Sequence, residues 1–255
     1  MIAALKTQKE QMNIRISTTR QNLGKEAASD IAAELRSRLR TQSNLRMIFA
    51  AAPSQHAMLQ ALLEEPEIDW HRITAFHMDE YIGLPADAPQ RFGTWLRNAI
   101  FDRVPFASFH LIEPGTDLEQ TCRSYAKKLM EAPIDVVLLG IGANGHLAFN
   151  DPPADLDDPL AVKVVTLDDV CRQQQVDDQC FATFDEVPQK AISLTVPMLL
   201  RGDRLFCCVP GSNKRAAVRR MLHDPISGAC PATALRKHPR CIVYLDHDSS
   251  DELVS

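Results

Sequence analysis

The sequence predicts an α/β protein with a three-layer αβα, Rossmann-like fold built around a mostly parallel, doubly wound sheet. Short apolar runs alternate along the chain with segments whose apolar residues recur at helical spacing. Such alternation is typical of parallel strands joined by helices, and right-handed crossovers place those helices on both faces of the sheet. The chain has 255 residues, which suits a single α/β domain spanning residues 1–255.

The predicted elements follow one another in the order that such a fold requires. The apolar runs predicted as strands cover residues 46–51, 72–77, 134–140, 191–196, 204–209 and 241–245. The segments predicted as helices cover residues 23–39, 55–63, 118–130 and 213–222. Four aspartates and three prolines predict an exposed loop at residues 151–159.

Composition and charge exclude several classes of protein. Hydrophobic residues make up 45% of the chain and charged residues 24%, which is ordinary for a soluble globular protein. The formal net charge is -5, so no basic excess points to a nucleic-acid partner. No apolar run approaches membrane-spanning length, and the start of the chain lacks the apolar core of a signal peptide. We therefore expect a cytoplasmic protein with neither a nucleic-acid nor a membrane partner.

The cysteines indicate reduced thiols. The chain has seven of them, an odd number, and no two have C-x-x-C spacing. Both facts argue against a disulfide framework and against a zinc knuckle. We therefore expect mostly buried, free thiols and no metal site.

The most informative stretch follows the third predicted strand. Gly140, Gly142 and Gly145 come first, and His146 and Asp151 follow them. Glycine permits positive φ or a close approach of the backbone to a ligand. Polar residues at the carboxyl end of a parallel strand lie where open α/β sheets bind ligands. The stretch predicts a catalytic loop, although a plain turn with a solvated histidine would also use these glycines.

The same stretch matches G-x-G-x-x-G, the dinucleotide-binding fingerprint, between Gly140 and Gly145. That fingerprint should open a helix long enough to cross the sheet, but Pro152 and Pro153 end any helix within a few residues. We therefore interpret the glycines as part of a catalytic loop and not as a nucleotide site.

Three other junctions carry polar residues that could contact a ligand. Asp79 and Glu80 follow the second predicted strand, where one carboxylate can face a cleft as a general base while the other faces away. Lys214 lies at a predicted helix start, where free N–H groups and one lysine can bind phosphate. Ser54 and Gln55 begin the first crossover helix, and Ser54 can be an N-cap or a ligand hydroxyl. A solvated acidic turn and capped helices explain the same residues without a function.

Three motifs together resemble the signatures of the glucosamine-6-phosphate deaminase family, also called glucosamine-6-phosphate isomerase. They are Met78-Asp79-Glu80-Tyr81, the stretch from Gly142 to Pro152, and Gly211-Ser212-Asn213-Lys214, in the family's order and spacing. The resemblance extends from about residue 45 to residue 246. The related 6-phosphogluconolactonases share the glycine-rich turn and its histidine but not the continuation at residues 148–152.

The resemblance implies conversion of glucosamine 6-phosphate and water to fructose 6-phosphate and ammonia, without a metal or organic cofactor. It implies that Asp79 moves the C2 proton to C1 and that His146 opens the sugar ring. Asp151 would orient the imidazole, where the family usually has glutamate. Asn144 would support the loop, at a position where the family often has aspartate.

The resemblance also implies a phosphate site formed by Lys214 and the region around Ser54. The residues expected to contact the substrate are Ser54, Gln55, Glu80, Gly142, Gly145 and Lys214. The family's glycine- and threonine-rich phosphate loop is replaced here by residues 50–55. An arginine that the family uses near the substrate aligns with the glutamines at 173–175, in a segment that otherwise reads as a surface helix.

Two alternatives to the deaminase remain open on the sequence. A 6-phosphogluconolactonase-type hydrolase would use His146 as a base for water and would make little use of Asp79. A non-catalytic protein that binds sugar phosphates would tolerate the altered phosphate loop and Asn144. The deaminase, the hydrolase and the binding protein would all have a small phosphorylated sugar as partner. The sequence is also compatible with a homo-oligomer.

Overall fold

The computed structural model describes residues 12–250, which form ten strands and eight α-helices. The strands are β1 (Asn13–Ser17), β2 (Leu45–Phe49), β3 (Ile73–His77), β4 (Asp79–Tyr81), β5 (Ser108–His110), β6 (Val136–Leu139), β7 (Val162–Thr166), β8 (Lys190–Leu194), β9 (Arg204–Val209) and β10 (Cys241–Asp246). The helices are α1 (Arg20–Leu39), α2 (His56–Glu64), α3 (Phe92–Leu96), α4 (Leu118–Met130), α5 (Asp169–Asp177), α6 (Val196–Leu199), α7 (Arg215–His223) and α8 (His247–Ser250).

A seven-stranded parallel sheet forms the centre of the fold, in the order β1-β10-β9-β6-β2-β3-β5. Buried side chains of α1, α2 and α3 cover one face, and those of α4, α6 and α7 cover the other. Along β2, Met47 and Phe49 face the first layer and Ile48 faces the second, as the two-residue period of a strand requires. The predicted three-layer αβα fold class is confirmed.

The strand order reverses between β2 and β6. From β2 the chain passes to β3 and β5 in one direction. It then returns to β6 on the other side of β2 and continues to β9 and β10. In open α/β sheets such a reversal leaves a crevice at the carboxyl ends of the two strands, because their loops diverge.

A second, antiparallel sheet has the order β4-β8-β7. It corrects the prediction that residues 191–196 form a strand of the parallel sheet, because these residues lie largely in β8. An apolar run indicates that a strand is buried, but it does not show which strands it pairs with. β8 is buried under the loop that follows β6. There the Phe149 N–H donates a hydrogen bond to the Ser193 hydroxyl at 3.0 Å.

The four predicted helices are present, and three of them begin at a different residue from the one predicted. The segment at 23–39 begins earlier, at Arg20, because the Thr19 side chain caps it by accepting from the Asn22 N–H at 3.2 Å. The segment at 213–222 begins at Arg215, after a 3-10 turn over Ser212–Lys214. β1, an edge strand whose residues are half-buried or exposed, had no apolar run that could predict it.

Two further observations concern the whole described chain. None of the helices within residues 12–250 is long and apolar enough to cross a membrane. All seven cysteines are free thiols, six of them buried and Cys180 half-buried. The predicted burial of most thiols is therefore confirmed.

Candidate active site

A cleft opens at the carboxyl ends of β2 and β6, where the strand order reverses. The polar side chains on its walls are Ser54, Gln55, Asp79, His146, Gln174, Gln175, Asp178 and Lys214. Residues predicted from separate strand ends therefore meet in one place.

The loop after β6 carries His146 into the cleft. The Gly142 N–H donates to the His146 carbonyl at 3.0 Å and closes a tight turn. A Cβ on Gly142 would lie 2.2 Å from the imidazole. The imidazole thus occupies the space that any other side chain at 142 would need, and Gly142 lines the cleft.

Gly145 shapes the turn and does not line the cleft. Its φ is +91°, and a Cβ would lie 2.6 Å from the Cys230 sulfur. Its N–H donates to the Gly142 carbonyl at 2.9 Å. The structure thereby corrects the prediction that Gly145 contacts the substrate, because this residue faces Cys230.

Asp151 supports the imidazole from behind. Its Oδ1 lies 3.0 Å from His146 Nδ1, and its side chain is only 6% exposed, although its loop was predicted to be exposed. The Asn144 amide and the Asp168 N–H donate hydrogen bonds to its two oxygens, each at 2.9 Å. Burial opposes ionisation of Asp151, but the contacts with His146 and these donors outweigh it and lower its pKa. An ionised carboxylate therefore orients the ring.

Asn144 fixes this loop from three sides. Its Oδ1 accepts the His146 N–H at 3.0 Å, and its Nδ2 donates to Asp151 and to Asp168, each at 2.9 Å. An aspartate would add a third carboxylate where two already meet. The amide fits because it donates to both.

A cluster of possible metal ligands lies in the same place. His146, Asp151 and Cys171 each bring one ligand atom within 4.8 Å of the others. Burial raises the pKa of the Cys171 thiol well above its ordinary value, whereas the thiolate is the form that binds metal. Both Asp151 oxygens already accept hydrogen bonds. Support of His146 explains the cluster without a metal ion.

Asp79 and Glu80 face opposite ways, as the strand pattern predicts. Asp79 lines the cleft and is 6% exposed. Burial and, next, the charge of Glu80 raise its pKa well above the ordinary value. Glu80 is fully buried behind the wall, where it accepts the Phe92 and Gly93 N–H groups at 3.0 and 2.9 Å. The structure corrects the prediction that Glu80 contacts the substrate, because its carboxylate holds the start of α3.

The loop after β2 brings Ser54 and Gln55 to the cleft. The Gln55 Nε2 donates to the Cys208 carbonyl and to the Ser54 hydroxyl, both at 3.1 Å. A Cβ on Gly140 would lie 2.8 Å from that Nε2, so Gly140 makes room for the amide. Gln55 therefore ties the loop after β2 to the end of β9 and leaves Ser54 as the hydroxyl at the cleft.

Lys214 places a buried cation at the cleft. It ends the 3-10 turn that follows Gly211, whose φ is +99°, and it is 4% exposed. Burial lowers its pKa. No side-chain hydrogen bond or salt bridge to Lys214 occurs within residues 12–250, so its ammonium is available to an anion.

The helix α5 contributes residues that the sequence assigned to a surface helix. Gln174 and Gln175 are buried and line the cleft. Arg172 is also buried but turns away: its guanidinium lies 3.9 Å over the Phe184 ring and donates to the Val187 carbonyl. The assignment of this segment to the surface is wrong. Burial is predicted from the periodic spacing of apolar residues, and the buried side chains of this short helix are mostly polar. Only the family alignment at 173–175 pointed to this segment.

Comparison with known proteins places these features in a wider context. The sequence profile described as glucosamine-6-phosphate isomerases/6-phosphogluconolactonase matches residues 18–243. A glucosamine-6-phosphate deaminase of Listeria welshimeri is 31% identical over 228 residues, covering 89% of this chain and 96% of that protein. One from Bacillus thuringiensis is 29% identical over 239 residues, covering 93% of this chain and 88% of that protein.

Solved structures show the same fold. A monomeric glucosamine-6-phosphate deaminase superimposes with a TM-score of 0.87 at 26% identity, covering 94% of this chain and 99% of its own. The 6-phosphogluconolactonase from Thermotoga maritima superimposes with a TM-score of 0.74 at 17% identity, covering 92% and 100%. At that lower identity the likeness concerns the fold alone.

Proposed function

Because the chain belongs to the glucosamine-6-phosphate isomerase/6-phosphogluconolactonase family, we propose that it is an amino-sugar-phosphate deaminase of carbohydrate catabolism. It converts glucosamine 6-phosphate and water to fructose 6-phosphate and ammonia. Its free, mostly buried thiols support a cytoplasmic location, where thiols stay reduced. We propose that the chain acts as one domain and needs no cofactor.

One observation carries the proposal: Asp79 and His146 line the same cleft. A deaminase needs two proton carriers, one at the ring oxygen and one at C2. A lactonase needs only a base for water. Asp79 is buried and its pKa is raised, which makes its ionised form a stronger base. These features support a reaction that uses both residues.

The first step is ring opening at His146. The imidazole moves a proton from the C1 hydroxyl of the sugar to the oxygen of the sugar ring as the C1–O5 bond breaks. Asp151 at Nδ1 orients the imidazole, so that Nε2 can exchange the proton. The product is the open-chain aldehyde.

The second step is proton transfer at Asp79. Asp79 takes the C2 proton while the ammonium group of the substrate gives a proton to the C1 oxygen, and a neutral enolamine forms. Asp79 then returns its proton to C1, which leaves a protonated imine at C2. Water adds to C2, and the nitrogen leaves as ammonia after the adduct releases a proton. The carbonyl now lies at C2, so the sugar is the ketose.

We propose that Lys214 and Ser54, which also line the cleft, hold the phosphate. Lys214 supplies the charge there, and the Ser54 hydroxyl supplies a hydrogen bond. A buried ammonium without a partner favours a strongly anionic group, and a phosphate meets that requirement. Gln55 keeps the loop that carries Ser54 in place.

The decisive experiment is incubation of the protein with a panel of sugar phosphates, with assays for ammonia and ketose. The panel contains glucosamine 6-phosphate, its N-acetyl derivative, glucose 6-phosphate and 6-phosphogluconolactone. We expect ammonia and fructose 6-phosphate in equal amounts from glucosamine 6-phosphate. Acid release from the lactone without ammonia from any amino sugar would favour the hydrolase. Ligand binding without turnover would favour the binding protein.

A further inference from the structure

The end of α5 supplies a carboxylate to the cleft that the proposed reaction does not use. Asp178 directly follows the helix, lines the cleft and is half-buried. Its N–H donates to the Gln174 carbonyl at 2.8 Å, and its Oδ2 accepts the Gln174 Nε2 at 3.1 Å. The Gln174 Oε1 in turn accepts the Ala143 N–H at 2.8 Å. The Gln174 side chain therefore links the Asp178 carboxylate to the catalytic loop.

Asp178 and Lys214 flank the cleft without pairing. Both groups line the same cleft, and the charge of Asp178 partly opposes the lowering of the Lys214 pKa by burial. Yet no salt bridge joins them, and Oδ1 of Asp178 has no donor within residues 12–250. A ligand between them needs an anionic group for Lys214 and a hydrogen-bond donor for Asp178.

A phosphate alone does not meet both requirements. As a dianion it has no proton to donate, and the carboxylate would repel it. A hexose 6-phosphate does meet them, because its hydroxyls lie between the phosphate and the reacting carbons. In the ring form, with C1 and C2 at His146 and Asp79 and the phosphate at Lys214, the hydroxyl nearest the phosphate is the one on C4, because O5 belongs to the ring.

A second space adjoins the cleft on the far side of Asp178. It shares Ala51, Ala52, Phe92 and Asp178 with the cleft, and no lysine, arginine or histidine is among its lining residues. A phosphate therefore has no cation to attract it past Asp178. This charge distribution keeps the phosphate at Lys214 and leaves the carboxylate to the sugar ring.

We propose that Asp178 is a specificity-determining residue that accepts a hydrogen bond from the C4 hydroxyl and so selects one configuration at C4. The inference rests on the proposed deaminase function. A hydrogen bond to a carboxylate is strong, and a hydroxyl of the wrong configuration leaves that bond unmade. Gln174 acts as a positioning residue for Asp178.

The test compares glucosamine 6-phosphate with galactosamine 6-phosphate, its C4 epimer. We expect wild-type kcat/KM values for ammonia release to differ by about tenfold to a hundredfold, the range of one hydrogen bond to a charged group. In Asp178→Ala the ratio should fall to within about threefold of unity, because only the preferred epimer loses a contact. Asp178→Asn should retain part of the ratio, because its amide oxygen still accepts.

The matched control is Asp177→Ala, since Asp177 is the exposed neighbour and accepts from Gln173 at 2.9 Å. It should keep the wild-type ratio. Ammonia release with equal rates for both epimers in wild type, or an unchanged ratio in Asp178→Ala, would overturn this inference alone. No ammonia from either epimer would overturn the proposed function together with it. Thermal unfolding of each variant checks that the ratio of the two kcat/KM values is measured on folded protein.

Discussion

The two side chains proposed to carry protons differ in their surroundings. Asp79 is buried next to Glu80, which favours its neutral form. His146 lies against Asp151, whose lowered pKa keeps a negative charge beside the ring. The surroundings thus raise the pKa of one carboxyl group and lower the pKa of another. Such opposite shifts allow one site to hold both a base and an acid.

The first prediction is that Asp79→Asn removes activity and adds stability. Turnover of glucosamine 6-phosphate should fall by a factor on the order of 10²–10⁴, the usual contribution of a positioned base. Burial raises the folded-state pKa of Asp79 from its ordinary 3.8. The folded protein therefore loses stability as pH rises from about 4 toward that raised pKa. The variant has no such loss.

Thermal unfolding between pH 4 and pH 7 checks the stability part. The melting temperature of wild type should fall relative to the variant as pH rises. Asp157→Asn is the control, because Asp157 is exposed and should change neither turnover nor this slope. A variant with wild-type turnover would show that Asp79 is not the base.

The second prediction separates ring opening from the later steps. His146→Gln should lose most activity on the closed-ring substrate and keep more on an analogue locked in the open-chain form. Asp151→Asn should also lower the rate more on the closed-ring substrate than on the open-chain analogue, but by less than His146→Gln does. The reason is that Asp151 orients the imidazole and exchanges no proton itself. The measurement is a pair of rates for each variant. Equal losses on both substrates would remove ring opening as the role of His146.

The third prediction concerns the cation. Lys214→Ala should raise KM more than it lowers kcat, because a contact with phosphate is present before and during the reaction. The effect should vanish on glucosamine without phosphate, assayed at high concentration. Lys190→Ala is the control, since Lys190 is exposed on β8. Similar losses on both sugars would mean that Lys214 acts only in folding.

At the scale of elements, the packing of α1 on α2 depends on one glycine. A Cβ on Gly24 would lie 2.6 Å from the Ala57 carbonyl carbon and 2.8 Å from the Met58 nitrogen. Both atoms belong to backbone, so neither can move aside as a flexible side chain would. The two helices therefore approach each other more closely than any other residue at 24 would allow.

The fourth prediction follows from this contact. Gly24→Ala should destabilise the protein by about 1–3 kcal/mol through overpacking, although alanine is the better helix former by about 1 kcal/mol. Urea unfolding gives the free energy of unfolding. Ser29→Ala is the control, because Ser29 is exposed in the same helix and should be neutral or slightly stabilising. An equal gain at both positions would contradict the close contact.

Elements with periodic apolar residues could be predicted from the sequence, and elements without them could not. The α4 prediction at 118–130 matches its observed bounds, because apolar spacing defines the face that it buries. Most of the buried face of α5 is polar, including Arg172, Gln174 and Gln175. Nothing in such a face distinguishes contact with a cleft from contact with water.

At the scale of the whole molecule, the topology assembles the cleft. Ser54, Asp79, His146 and Lys214 lie far apart along the chain, but each follows a strand of the parallel sheet at its carboxyl end. Because parallel strands all end at one edge, the residues that follow them meet there. The reversal between β2 and β6 then opens the space in which they meet.

The sequence by itself determined the αβα fold class, the strand ends that carry polar residues and the glycines that a histidine loop requires. These features are local, since they depend on apolar period, turn residues and steric space. Only the tertiary structure decided which polar residues reach the cleft. It turned Glu80 and Gly145 away, brought Asp178 to the same cleft as Lys214 and placed most of residues 191–196 in a second sheet. Those outcomes depend on contacts between segments that are distant in the sequence. They cannot be predicted from the residues that neighbour a side chain along the chain.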